Sequence, residues 1–134
     1  SMTIQFIQPE ALVPPSTPYS NVVKVSGHSL VFISGQTAVD SRGETVGSTM
    51  DEQMDQIFEN LRIALSSVDA GFQNVVKFNS TVKVGCVEEY TSKRKALFPS
   101  LFPTGQYPGN SIVIVPELPS PEWLAEIEAI VSIG

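Results

Sequence analysis

A chain of 134 residues with a formal net charge of −6 has the length of one domain and the wrong sign of charge for nucleic acid, whose phosphates need a basic patch to release counterions. No apolar stretch reaches the ~18 residues that cross a bilayer, and no basic leader precedes an apolar segment, so neither a membrane span nor a signal peptide is expected and the reading is a cytoplasmic protein. Charged residues make up only 16% against 42% hydrophobic ones, a thin charged coat that points to surface buried in an oligomer.

The chain reads as a single domain over residues 1–134, with Ser1 ahead of Met2 taken as a remnant of tag removal. Thr3–Ile7 can form a first strand. "PEALVPPSTPY" (Pro9–Tyr19) holds four prolines, so it is an extended connection short of N–H donors. Asn21–Gly35 reads as two strands joined by a tight turn at Ser26-Gly27-His28. His28 is the only histidine, is expected to face solvent, and has no partners that could form a metal set around it. The second strand breaks at Ser34-Gly35-Gln36, within "FISGQTAVD" (Phe32–Asp40). That break is either a turn or the wall of a site.

Ser48–Gly71 is the clearest helix. Met50, Met54, Ile57, Phe58, Leu61, Leu65 and Val68 fall on one stripe, Thr49 and Glu52 have capping-box spacing, and Gly71 suits the left-handed C-terminal position. In "VVKFNSTVKV" (Val75–Val84), Val76, Phe78, Val82 and Val84 alternate with Lys77, Asn79, Thr81 and Lys83. A second helix is expected over Val87–Phe102, disturbed near Pro99, and Ser111–Leu118 and Glu122–Ile133 read as the last strands. This order gives an α+β domain whose mixed sheet carries both helices on one face. On the final strand Trp123, Ala125, Ile127, Ala129 and Val131 form an apolar face. The other face, Leu124, Glu126, Glu128 and Ile130, mixes aliphatic residues with carboxylates and is expected to be half-buried against another subunit. There the glutamates either pair with Lys or Arg at a seam or serve a site.

Pro18-Tyr19, "FISGQTAVD", "QMDQIFENLRIALSSVDAGF", "VVKFNSTVKV", Pro108 ahead of "SIVIVPEL", and "LAEIEAI" follow one another in an order and spacing that resemble the Rid (YjgF-like) family of imine/enamine deaminases. The resemblance covers nearly the whole chain. It implies a chorismate-mutase-like α+β fold, a homotrimer, small-molecule pockets at the subunit interfaces, and chemistry without metal or organic cofactor. By the same resemblance Glu126 matches the catalytic carboxylate that holds or activates the attacking water. Tyr19 matches the pocket tyrosine, and the backbone around Ser34 and Gly35 orients a planar substrate, since Gly35 brings no Cβ between backbone and ligand.

One position departs from the family pattern. Members with deaminase activity carry an arginine two residues after the proline that precedes the fifth strand, where it clamps the substrate carboxylate. Here "YPGNSIV" (Tyr107–Val113) places Asn110 there, and Ile112 stands where a cysteine is often found. Asparagine offers N–H donors but no charge. Hydrogen bonds to charged partners contribute ~1.5–3 kcal/mol each, so losing the fork should weaken carboxylate binding by about tenfold to several hundredfold. Lys93, Arg94 and Lys95 read as a solvated helix face, with Arg94 the candidate replacement cation for substrate binding. Two functions therefore stand side by side: hydrolysis of a small imine or enamine that is not a typical 2-imino acid, and non-catalytic binding of a small molecule by an accessory or sensor trimer. Ribonuclease activity, attached to some relatives, is disfavoured by the charge.

Overall fold

The stretches of period two and period 3.6 become strands and helices close to their expected bounds. The computed structural model describes residues 3–134, so Ser1, read as a tag remnant, lies outside the described residues. The chain runs β1 (Thr3–Ile7), β2 (Val22–Ser26), β3 (Ser29–Gln36), α1 (Met50–Ser66), a 3-10 turn (Phe72–Asn74), β4 (Val75–Lys83), α2 (Val87–Leu101), β5 (Gly109–Val115) and β6 (Ala125–Ile133).

The helices pack on a four-stranded sheet of order β3-β6-β4-β5, antiparallel except for the parallel β4/β5 pair. The strands β1 and β2 form a separate antiparallel ribbon. The turn at Ser26-Gly27-His28 is present, with Gly27 at φ +66°, but it carries the chain from ribbon to sheet. β2 takes β1 as its partner and β3 takes β6, so the two strands flanking the turn do not pair with each other. His28, expected to face solvent, is half-buried, and neither ring nitrogen has a hydrogen-bond partner among the described residues.

α1 starts where its cap chemistry says it should. The Glu52 N–H donates to Thr49 Oγ1 at 3.2 Å and the Thr49 N–H donates back to Glu52 Oε1 at 3.2 Å. Met50, Met54, Ile57, Phe58, Leu61 and Leu65 are buried on its inner stripe. The helix stops earlier than expected, at Ser66, so Val68 lies beyond it. The left-handed position falls on Asp69, φ +57°, and not on Gly71, whose φ is −132°. Aspartate tolerates that conformation because its short polar side chain can bond locally, and the Ala70 N–H returns to the Leu65 carbonyl at 3.0 Å to close the end.

Under the helices lie Ile33, Val75, Phe78, Val82, Ala125, Ile127, Ala129 and Val131, all buried. Each fully buried Val, Ile or Phe among them contributes ~1.5–3 kcal/mol. Phe58, Phe78, Phe98 and Phe102 add tilted and edge-to-face contacts with centroids 5.1–6.3 Å apart. Two details of β4 differ from simple alternation. A register shift between Val75 and Lys77 turns Val75, not Val76, into the core, and Val84 falls outside the strand and is exposed. The edge strand β5 lies beyond helix cover: Ile112, Val113 and Ile114 are exposed although they alternate between faces.

Candidate functional site

The break at Ser34-Gly35-Gln36 is a bulge in the β3/β6 ladder, where the register shifts between Ile33 and Gln36. Gln36 Nε2 donates to the Ser34 carbonyl at 3.0 Å and fixes the kink locally. Gly35 leaves the space that the Glu126 carboxylate occupies. A Cβ on it would stand 2.7 Å from Glu126 Cδ and 2.8 Å from Glu126 Oε2, closer than any side chain tolerates. The Gly35 backbone and the Glu126 carboxylate are therefore in direct contact.

Register fixes which way Glu126 faces. It stands opposite Thr81 on β4, and Glu128 stands opposite Asn79; across β4, Asn79 meets Ser111 and Thr81 meets Val113. These six residues, with Ser80, line an open cavity of about 290 Å³, the six on the face turned away from the helices. Glu126 and Glu128 have no ion-pair partner among the described residues, although Lys77 Nζ donates to the neighbouring Ser111 Oγ at 2.8 Å. Pairing with Lys or Arg, one of the two alternatives for the glutamates, is not made among the described residues of one chain.

Asn110 stands on the other face. It is opposite the core residue Phe78 and looks toward α2, with Ile112 beside Ser80 on the same side. The Tyr90 hydroxyl donates to Ser80 Oγ at 2.6 Å, and the Ser80 hydroxyl donates to Asn110 Oδ1 at 3.3 Å. This chain of donors has one direction. It uses one lone pair of the Asn110 carbonyl oxygen and leaves the NH₂ without a partner among the described residues, so the amide has both N–H donors to offer. Burial pushes the Tyr90 phenol above its ordinary pKa, partly offset by the Arg94 charge and the bond to Ser80.

Tyr90, Arg94 and Phe98 form the buried stripe of α2. The three basic residues expected as one solvated face go three ways. Lys93 bridges Asp51 at 2.9 Å and Asp55 at 2.8 Å across to α1, Lys95 is exposed, and Arg94 is only 4% exposed. Arg94 Nη2 donates to the Pro18 carbonyl at 2.8 Å, and the guanidinium lies 4.6 Å from the Phe98 ring centre and 5.7 Å from that of Tyr90. No carboxylate of the described residues reaches it, and burial lowers its pKa. Pro18 leads into Tyr19, which is half-buried.

One chain thus brings Gly35 to Glu126, with Ser34 in the adjoining bulge, and separately gathers Tyr19, Arg94, Asn110 and Ile112 around α2 and β5. The two groups stand on opposite sides of the sheet. Ser80 and Tyr90 escaped the sequence reading. Ser80 looked like one more polar residue in β4, but its position midway between Phe78 and Val82 puts it on the core side. The i, i+4, i+8 spacing of Tyr90, Arg94 and Phe98 was the signal for the α2 stripe. Among the described residues no group of His, Cys, Asp or Glu could hold a metal ion, and no helix is long and apolar enough to cross a membrane.

A two-helix layer on a mixed sheet, with a carboxylate packed on a bulged strand, defines a small α+β domain of the YjgF type. Residues 10–133 match the family model described as Endoribonuclease L-PSP, and the chain belongs to that family, which includes the RutC and Rid proteins. It is 30% identical over 130 residues to a RutC family protein of Pyrococcus abyssi, covering 96% of this chain and 97% of that one. It is 28% identical over 131 residues to a RutC family protein of Synechocystis sp., covering 96% of each. The crystal structure of YyfB from Yersinia pestis, a protein of unknown function of the conserved Rid protein family, superposes with a TM-score of 0.88 at 26% identity, covering 97% of this chain and 98% of that one.

Proposed function

We propose that the protein binds a small planar imine or enamine between two copies of its chain and hydrolyses the C=N bond without a cofactor. The observation that carries this reading is the contact between Gly35 and Glu126. A carboxylate held against bare backbone, with no counter-cation among the described residues, can accept a hydrogen bond from water and take its proton. As the water oxygen bonds to the C=N carbon, Glu126 accepts the proton. Returning that proton to nitrogen gives a carbinolamine; Glu126 then takes the hydroxyl proton as the C=O bond forms and the C–N bond breaks, and passes it to the departing nitrogen, so that a carbonyl compound and ammonia leave. An imine carbon is already electrophilic, so orientation and proton transfer suffice.

The need for a second copy follows from the sheet. Glu126 stands on one face of the sheet and Asn110 on the other, so one protomer does not close a pocket around a ligand that touches both. Val113 at 59% and Ile114 at 54% exposure on the β5 edge supply apolar surface for such a contact, and a homotrimer is the assembly we propose.

Asn110 sets the substrate class. Its free NH₂ donates to an oxygen acceptor without adding charge, which favours a neutral or amide-bearing imine over a 2-imino acid whose carboxylate must be desolvated. The same residue supports the second reading, a non-catalytic binding trimer, in which the pocket retains ligand but lacks the grip that turnover requires. Cleavage of RNA is the least supported: net charge is −6, Arg94 is buried and Lys93 is engaged by two aspartates.

The test follows the loss of semicarbazone formed from enzymatically generated imines of Leu and Met, with and without the protein. Weak or undetectable suppression of the semicarbazone is expected for the wild type, deeper suppression for Asn110→Arg, and reversal of that change in the Glu126→Gln double variant. Inactivity of Asn110→Arg favours the binding protein.

A further inference from the structure

We propose that Arg94 is a positioning residue: its buried guanidinium is the latch that holds the end of the proline-rich strap, and with it Tyr19, against α2 and the start of β5. The inference rests on the reading above only in treating Tyr19 as a pocket residue.

The strap, residues 9–19, cannot hold itself. Pro9, Pro14, Pro15 and Pro18 have no N–H to donate, and the segment joins neither sheet. Its first half is tied by exposed amides, Gln8 Nε2 to the Leu12 carbonyl at 3.0 Å and Asn21 Nδ2 to the Val13 carbonyl at 3.3 Å. Its second half is tied from the core. Arg94 Nη2 takes the Pro18 carbonyl at 2.8 Å, the Ser20 N–H donates to the Pro108 carbonyl at 3.0 Å, and the Ser20 hydroxyl donates to the Tyr107 carbonyl. Tyr19 is therefore clamped on both flanks, from α2 on one side and from the loop before β5 on the other.

The chemistry of this latch calls for arginine. A planar guanidinium can lie over the Phe98 and Tyr90 rings while donating in its own plane to a carbonyl, and it keeps its charge when buried. A lysine ammonium is a compact point charge that stacks poorly and needs more solvation. Methionine would fill the volume and touch both rings but donate nothing. A residue that merely packed the core would tolerate methionine; a latch would not. With a free guanidinium acting on substrate instead, Arg94 would not need to be spent on Pro18.

The experiment is native-state amide exchange read at Tyr19 and Ser20 in the intact protein, with β6 amides as the global reference. The variants are Arg94→Met, Arg94→Lys and a remote destabilising control, Leu65→Ala, with temperatures chosen so that β6 protection matches among them. Arg94→Met should open the Tyr19–Ser20 segment by about ten- to a hundredfold relative to β6, the weight of a hydrogen bond to a charged donor. Arg94→Lys should open it less, and Leu65→Ala should leave it at the wild-type ratio. Arg94→Lys carries the test if the methionine variant does not fold. Unchanged protection at Tyr19 and Ser20 in the arginine variants, or equal opening in Leu65→Ala, overturns the latch. No turnover enters the readout, so a protein that hydrolyses no imine can still show the latch, and one that does can lack it.

Discussion

Gly35 and Glu126 touch: a β-carbon on residue 35 would lie 2.7 Å from the Glu126 carboxyl carbon and 2.8 Å from its Cγ. The bulge in β3 lies at this contact, and the absence of a side chain makes room for the carboxylate.

Gly35→Ala should therefore separate stability from function. The clash is with a side chain that borders an open cavity, so Glu126 can swing aside and the loss of stability should stay at about 1 kcal/mol. Any Glu126-dependent rate should fall at least about tenfold, since a displacement of roughly 1 Å costs that much and more. Chemical denaturation measured beside the imine assay in the Asn110→Arg background checks both halves. A large stability loss with the rate intact would place the importance of Gly35 in folding.

Tyr90→Phe tests the inner hydrogen-bond chain. Removing the hydroxyl takes away the donor to Ser80, with a cost of about 1 kcal/mol at neutral pH. The pH dependence adds a second signature. Burial raises the phenol pKa in the folded state, so the protonated form is the one that folding favours. That contribution is complete below the unfolded tyrosine value, roughly pH 10, and is lost as pH rises through the higher folded value. Wild type should lose stability more steeply than Tyr90→Phe above about pH 10, and parallel curves would contradict the assignment.

Gln53 tests how Glu126 gets its register. Its side chain is 1% exposed. Its Nε2 donates to the Gly47 carbonyl at 3.1 Å and to the Glu122 carbonyl at 2.8 Å, and its Oε1 accepts from the Leu124 N–H at 2.9 Å. α1 thereby grips the segment that leads directly into β6. Gln53→Ala should cost about 3 kcal/mol in urea unfolding, because three backbone groups lose their partner at once. A cost below about 1 kcal/mol would mean the segment is held elsewhere.

Much of this was legible in the residue pattern, and the reasons for the misses are physical. The α1 stripe and its Thr49/Glu52 cap are local, so spacing alone located them. The Ser-Gly-Gln break stood out because an apolar strand stopped for small and polar residues, and Phe78 and Val82 against Asn79 and Thr81 gave the two faces of β4. What local spacing could not supply was pairing. The division of β2 and β3 between ribbon and sheet depends on their partners, β1 and β6. The bulge that exchanges Val75 for Val76 depends on register with β6. Arg94 lay between two lysines and looked like surface; only the depth of α2 against Phe98 and the strap reveals it as core. Glu126 and Asn110 were both singled out, but parity across three strands was needed to place them on opposite faces.

That opposition makes the assembly the decisive question. The pocket proposed for imine hydrolysis needs one copy's Gly35 and Glu126 and another's Tyr19 and Asn110, so it exists only in an oligomer. Light scattering at micromolar concentration measures this directly. A mass about three times the 14.5 kDa of one chain is the expected result, and a mass equal to one chain would contradict the shared site and the function built on it.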